Sequence, residues 1–497
     1  MPDTTTQPTI LQFRGAAEAG APRLAGLPGV HGEESLPTGV REVERYDTDD
    51  LRLAAAGITL ALHRGDGPTQ GGSAQWHLDL PDGEHDERLR VPVAADTPEP
   101  APVPQEIDEL TRGAARNRAV RPVGRARTTR AVTRLLSLDG TVLAEVTFDH
   151  VSIATLGRST EVLSWTEAAV TSHGAAPELL DAIAARLTDD GLRRAAPAVD
   201  AELDRLLRPA VPRRAAVGKK GSAGAALMRY IAAQTDRIAA EDLRVRRDEP
   251  DAVHQLRVAA RRLRSALQAH RPLVDRERTE PVVDALRTFG QALAPARDAE
   301  VLRERIAAGL AALPPELRLG HAEAFATRHF ARTEAEARAA VLTELDSERF
   351  AALRGALEAM LEQPPLTKAA SSKKGLKKGI ARSTRRLEKA VTTATDPQNP
   401  ASERDAAVHA ARKAGKRLRY ATEVAGTKPK HLKAFQKALG EHQDTVVSRA
   451  VLRELGAAAH ASGENGFSFG ILLGMDAARA EQIERELPGL WAAHGRK

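Results

Sequence analysis

The sequence predicts two unlike domains in one chain, an α+β domain built on antiparallel strands and then an all-α domain. Three observations predict this. Between about residues 50 and 170, short runs alternate apolar and polar side chains, the period of half-buried strands. From residue 223 onward the apolar residues recur at helical spacing, in long segments broken at prolines. The charge divides at the same place. Residues 1–212 hold 22 Arg, no Lys and 32 acidic residues, a net of −10, whereas residues 213–497 hold 51 basic and 35 acidic residues, a net of +16. The overall +6 conceals this split, which assigns the two halves different partners.

At 497 residues the chain exceeds one ordinary core. Aromatics are only 3% of it, so its cores rest on Leu, Ala and Val. With no Cys, disulfides and thiolate metal sites are excluded. Residues 1–40, rich in Gly, Pro and small side chains, are expected to be largely disordered. Residues 41–208 form the first domain. Strands are expected at 58–64, 75–80 and 88–93. A hairpin joins 124–137 to 141–154 through Asp139-Gly140, which tolerate the positive φ of a tight turn. Four prolines make 96–104 a loop, and the period becomes helical over 177–207. Residues 209–222 read as a linker. The helical domain, 223–497, is punctuated near Pro250, Pro272, Pro295, Pro314, Pro364, Pro400 and Pro429. No basic and apolar leader opens the chain, and no run approaches about 18 apolar residues, so a cytoplasmic protein with no membrane partner is expected.

The helical half contains a repeat. His254-Gln-Leu-Arg257-Val-Ala-Ala-Arg261-Arg262-Leu-Arg264 returns as His409-Ala-Ala-Arg412-Lys413-Ala-Gly-Lys416-Arg417-Leu-Arg419. Downstream, Leu286-Arg-Thr-Phe289, followed by Asp298, returns as Leu432-Lys-Ala-Phe435, followed by Asp444. Two matches in the same order imply a duplicated helical unit and two similar bundles.

On a helical wheel of about 100° per residue, Arg257, Arg261 and Arg264 fall within about 80° of His254, with Leu256, Ala259 and Leu263 opposite. Arg412, Lys416, Arg419 and Tyr420 stand in the same relation to His409. Each helix packs an apolar face and displays a cationic one. No acid lies within residues 254–264, and like charges at helical spacing cost a few tenths of a kcal/mol per pair. A bound anion would offset that cost. Lys374, Lys377, Lys378, Arg382, Arg385 and Arg386 form a third basic run. The two histidines lack a second ligand at i+4, so they are expected to donate to phosphate oxygens rather than hold metal.

At these residues the chain resembles the CHAD family, the conserved histidine α-helical domain, over about 222–491. The resemblance implies two pseudo-symmetric four-helix bundles and a basic central groove. It implies binding of inorganic polyphosphate and association with polyphosphate granules. The residues it carries over are His254, Arg257, Arg261, Arg262, Arg264, His409, Arg412, Lys413, Lys416, Arg417, Arg419 and Tyr420. The first domain resembles the CYTH fold of the triphosphate tunnel metalloenzymes, an antiparallel β-barrel or tunnel. The similar stretches include Tyr46-Asp47-Thr48, Trp76-His-Leu-Asp79-Leu-Pro81 and Trp165-Thr-Glu167. The family's opening E-x-E-x-K is replaced here by Thr9-Ile-Leu-Gln-Phe-Arg14. Its W-x-L-K-L-P lysine is Asp79, and Ala169 and Thr171 replace later glutamates. Triphosphate hydrolysis needs a divalent metal held by convergent carboxylates. Glu145, Asp149 and Glu167 amount at most to a weak Mg²⁺ site, and Arg52, Arg64, Arg125 and Arg127 remain as residual anion contacts. A degenerate, inactive tunnel domain that requires no cofactor is therefore expected. The competing reading is an active metal-dependent triphosphatase or polyphosphatase. Nucleic acid is disfavoured, because the basic motifs carry only Tyr420 as a stacking aromatic.

Overall fold

The computed structural model describes residues 10–65, 74–81, 88–93, 97, 100–116, 118–157, 160–208, 221–396, 398–427 and 432–494. It divides into two compact units, Met1–Arg213 and Arg214–Lys497. Of the linker expected at 209–222, all but the last two residues lie outside the described residues, as does the helix break at Pro429.

The first unit runs β1 (Ile10–Ala16), β2 (Gly32–Ser35), β3 (Gly39–Asp47), α1 (Arg52–Ala55), β4 (Thr59–Gly65), β5 (Gln75–Asp79), β6 (Arg88–Pro92), α2 (Gln105–Ala115), β7 (Arg121–Leu136), β8 (Val142–Thr155), β9 (Val162–Ser172), α3 (Pro177–Asp189), β10 (Arg193–Arg194) and α4 (Val199–Leu207). The strands make one antiparallel sheet in the order β10-β1-β9-β8-β7-β3-β4-β5-β6, with β2 added on β7. The ladder does not close among the described residues. The expected hairpin joins β7 to β8, with Gly140 at φ 83°.

The disorder expected of residues 1–40 does not hold for the described residues 10–40, which contain β1 and β2. β1 pairs along its whole length with β9. Its Phe13, 1% exposed, packs with Phe148, Val170 and the α3 residues Leu179 and Ile183. A seven-residue strand whose partner is over 150 residues away leaves no local signal beyond Leu11 and Phe13, and a loop rich in small residues hides those. α2, in a region expected to be strand and loop, is a second departure. Its buried side is only Ile107, Thr111 and Ala115.

The helical unit runs α5 (Ala223–Arg246), α6 (Ala252–Ala269), α7 (Arg276–Ala292), α8 (Ala294–Ala312), α9 (Ala322–Leu345), α10 (Glu348–Glu362), α11 (Lys374–Ala394), α12 (Ala401–Val424), α13 (Lys433–Ala461) and α14 (Phe467–His494). Caps mark several starts. The side chains of Ser222, Asp275 and Ser347 accept from the N–H groups of Ala225, Glu277 and Phe350. α5, α6, α7 and α10, with the end of α9, enclose one Leu- and Ala-rich core. A second core lies within α11–α14. A third joins the halves, with Ile306 of α8 and Phe330 of α9 meeting Leu452, Leu455, Phe469 and Leu472 of α13 and α14. No helix among the described residues is long and apolar enough to cross a membrane.

Candidate functional site

The two copies of the basic motif lie on α6 and α12, and these helices pack directly on each other. Each is anchored from behind. Leu256, Ala260, Leu263 and Leu267 of α6 sit in the first core, and Val408, Ala411, Ala414 and Leu418 of α12 in the second. The seam between them is hydrogen-bonded. Arg261 Nε donates to the Tyr420 hydroxyl at 3.1 Å, and Arg419 Nη2 donates to the same oxygen at 2.9 Å. Arg417 Nη2 donates to Gln268 Oε1 at 2.7 Å. Tyr420 is fully buried, so it aims arginines and offers no face to a ligand.

Some of the expected cations are capped by the protein's own acids. Arg257 donates to Asp298 at 3.3 Å and to the Ala294 carbonyl at 3.0 Å. Arg262 and Arg419 approach Glu423 at 3.3 and 3.6 Å, and Tyr230 donates to Glu423 at 2.9 Å. Among the described residues no ion pair joins Arg264, Arg412, Lys413, Lys416 or Arg417 to an acid. Of these five, Arg264, Lys413 and Arg417 line the clefts of the seam, and Arg412 and Lys416 lie more deeply beside them. A cleft of about 500 Å³ gathers Arg257, Arg261, Arg264, Arg287, Lys413 and Arg417. A neighbouring one, about 360 Å³, gathers Arg271, Arg382, Arg386 and Arg417. α11 therefore brings Arg382 and Arg386 to the seam. Its Lys374, Lys377, Lys378 and Arg385 are exposed and line neither of these two clefts.

Gathering cations at a half-buried seam disfavours their charged forms. Burial, then Arg412, Arg261 and Arg419, pushes the Lys416 ammonium down to about 7, against the opposing pull of Asp444. Burial lowers Arg264, with Arg261 and Arg287 adding to the fall, and lowers Arg417, with Arg386, Arg264 and Arg271 adding to it. Burial also lowers both motif histidines. Arg297 adds to the effect at His254, and at His409 Lys413 and Arg412 oppose the hydrogen bond to Gln443. An anion placed against these groups would oppose the shifts, because a nearby opposite charge favours the charged form.

In the sheet unit the register sorts the expected residues onto two faces, because direct cross-strand partners share a face and sides alternate along each strand. One rung runs Arg14, Glu167, Asp149 and Arg130 across β1, β9, β8 and β7. Asp149 accepts from Arg130 Nε and Nη2 at 2.8 and 2.7 Å. Glu167 Oε1 accepts from the Trp165 indole at 2.8 Å and from the Ala198 N–H at 2.9 Å. Glu145, on the same face, accepts from Arg134 at 3.3 Å. Each of these acids is already engaged, and they form no metal-holding group among the described residues.

The four arginines expected as residual anion contacts are each held by an acid or stand near one. Arg64, Arg125 and Arg127 lie on the opposite face, where Arg64 and Arg125 bind buried Glu44 at 2.9 and 2.6 Å and Arg127 stands 3.7 Å from Glu42. Arg52 is held by Asp50 at 2.7 Å in α1. Alternation alone cannot tell which face a strand residue takes, since a one-residue slip exchanges the faces. The face with the acids is covered by α4. Leu203, fully buried, packs on Val43, Ala126, Ile153 and Trp165. Glu202 accepts from Arg14 at 2.9 Å, and Asp204 and Asp200 stand 3.2 and 3.7 Å from Arg45.

Sequence reasoning missed Gln268, Arg271 and Arg287 at the seam. Arg287 carried a readable signal, because the repeat places Lys433 at the matching position. It also missed His63, which stacks on His77 at 3.9 Å between ring centres. Burial, then His77 and Arg41, takes His63 down to about 4.

The family described as the CHAD domain matches residues 229–453. The uncharacterized protein Rv2226 of Mycobacterium tuberculosis is 32% identical over 487 residues, covering 94% of this chain and 92% of that protein. Among solved structures, PptA from Streptomyces chartreusis is similar at 24% identity and a TM-score of 0.48, covering 55% of this chain and all of that one. The CHAD domain from the plant Ricinus communis is similar at 25% identity and a TM-score of 0.45, covering 57% of this chain and 96% of that one.

Proposed function

The chain belongs to the CHAD-domain family, its helical unit preceded by an antiparallel sheet domain, and we propose that it binds inorganic polyphosphate along the seam of α6 and α12. The carrying observation is the group Arg264, Arg412, Lys413, Lys416 and Arg417, five cations that make no ion pair with an acid among the described residues, with Asp444 the acid acting on Arg412 and Lys416 from farther off. Such a cluster is unfavourable alone and favourable against a chain of linked phosphates, whose oxygens accept charge-assisted hydrogen bonds. Tyr420, the aromatic of the basic motifs, is buried and offers bases no ring to stack on, which favours a bare polyanion over a nucleic acid. A site of this kind would hold the protein on polyphosphate granules in the cytoplasm. In the tunnel domain, Glu145, Asp149 and Glu167 are each engaged by other groups, and α4 lies over the face they share. This supports a binding role without hydrolysis.

Calorimetric titration of the full chain with polyphosphate at two salt concentrations tests the reading. With about five phosphates neutralised, affinity is expected to fall about a hundredfold between 50 and 200 mM salt, since each contact releases a condensed counterion. Binding indifferent to salt would refute it. In the same samples with Mg²⁺ no phosphate is expected to appear. Release abolished by Glu145→Gln and Glu167→Gln would establish the hydrolase reading instead.

Binding should also take up protons. Lys416 titrates at about 7 in the free protein and higher beside bound phosphate. Its contribution is therefore complete below pH 7 and is lost as pH rises toward the bound value. Affinity is expected to fall between pH 7 and 9, and Lys416→Arg, which stays charged there, is expected to flatten that profile.

A further inference from the structure

We propose that Asp405, His442 and Glu484 form a divalent-cation site of the zinc type, fastening α12, α13 and α14 together. One ligand atom from each lies within 4.8 Å of the others, and they are the one such group found among the described residues. His442 is 1% exposed, and its Nε2 stands 2.9 Å from Glu484 Oε1 and 3.5 Å from Asp405 Oδ1. Two ligands each about 2.0–2.2 Å from a tetrahedral metal lie roughly 3.4 Å apart. These separations therefore bracket the edge of a zinc site, and the closer pair needs to open by only about half an ångström.

Hydrogen bonding alone explains the group less well. One imidazole nitrogen carries at most one proton, yet two carboxylates face it. The other oxygen of Asp405, Oδ2, is held by Arg449 at 3.3 Å, which leaves Oδ1 turned toward the histidine. An outer partner of this kind orients a ligand. Nor does the bundle require the cluster. By the spacing of the repeat, the first copy carries Pro250 where the second has Asp405, and Ala296 where it has His442, and its helices still form. One imidazole with two carboxylates suits Zn²⁺ or a neighbouring transition metal. Ca²⁺ would want six to eight oxygens. Asp405 lies one turn before His409 on α12, so a bound metal would fix that end of the motif helix.

The test is titration of the metal-stripped full chain with Co²⁺ and then Zn²⁺, without polyphosphate, which chelates both. One equivalent of Co²⁺ is expected to give a visible absorption band that Zn²⁺ erases, and Zn²⁺ is expected to raise the melting temperature. Asp405→Asn and Glu484→Gln, conservative changes at partly exposed positions, should each weaken Zn²⁺ binding by at least about tenfold. His442→Gln should abolish the one-equivalent band. The proposal is overturned if wild type takes up no more Co²⁺ than His442→Gln, or if both carboxylate variants keep wild-type affinity.

Discussion

Replacing Arg261 and Arg412 together by Glu is expected to lower affinity for polyphosphate by two to four orders of magnitude. The two arginines come from different copies of the repeat, and each acts on the charged form of Lys416. A hydrogen bond to a charged group contributes about 1.5–3 kcal/mol, so losing two costs about 3–6 kcal/mol before any repulsion is added. Calorimetry measures the loss, and circular dichroism confirms that the helices persist. Arg261→Gln with Arg412→Gln, which removes charge without reversing it, should fall between this variant and wild type. A double reversal that binds within threefold of wild type would place the polyanion elsewhere.

Removing one buried carboxylate from the first bundle should have the largest effect on stability. Asp242 is 1% exposed and accepts from Arg246 Nε at 3.0 Å and from Arg354 Nη1 at 2.9 Å. Arg246 is raised by Asp242 and Asp346 against the cost of its own burial. Asp242→Ala leaves two buried guanidinium groups without the carboxylate they share. The expected cost is about 3–5 kcal/mol, the range for breaking a buried pair from one side. Urea unfolding of the full chain, followed by helical circular dichroism, measures it. A loss under about 1 kcal/mol would mean that water reaches the arginines in the variant. The same variant should bind polyphosphate normally wherever it remains folded, since Asp242 lies outside the seam.

The helical half was the more legible part of the sequence. Its core and cationic faces follow from one period, so placing Leu256 and Leu263 in the core also places Arg257 and Arg264 outside it. The repeat then said that two such faces exist. That they meet was not written locally, because contacts such as that of Arg261 with Tyr420 span over 150 residues. For the same reason Tyr420, read as a surface aromatic beside His409, proved to be interior. The acids that cap Arg257 and Arg262 also sit on other helices, Asp298 on α8 and Glu423 on α12, beyond the reach of a single wheel. In the sheet half, the strands were visible wherever alternation was strong. Which face Arg64, Arg125 and Arg127 take was not legible, because alternation carries no sign. β1 and the covering of the sheet by α4 depend on partners far along the chain, which no window of neighbouring residues contains.

The core in which Ile306 and Phe330 meet Leu452 and Phe469 bears on how the duplicated halves can be separated. Neither half owns that layer. A chain cut between α10 and α11 would give two fragments that each present half of an oily interface to water. Such fragments should find one another or clump, whereas beads on a string would part cleanly.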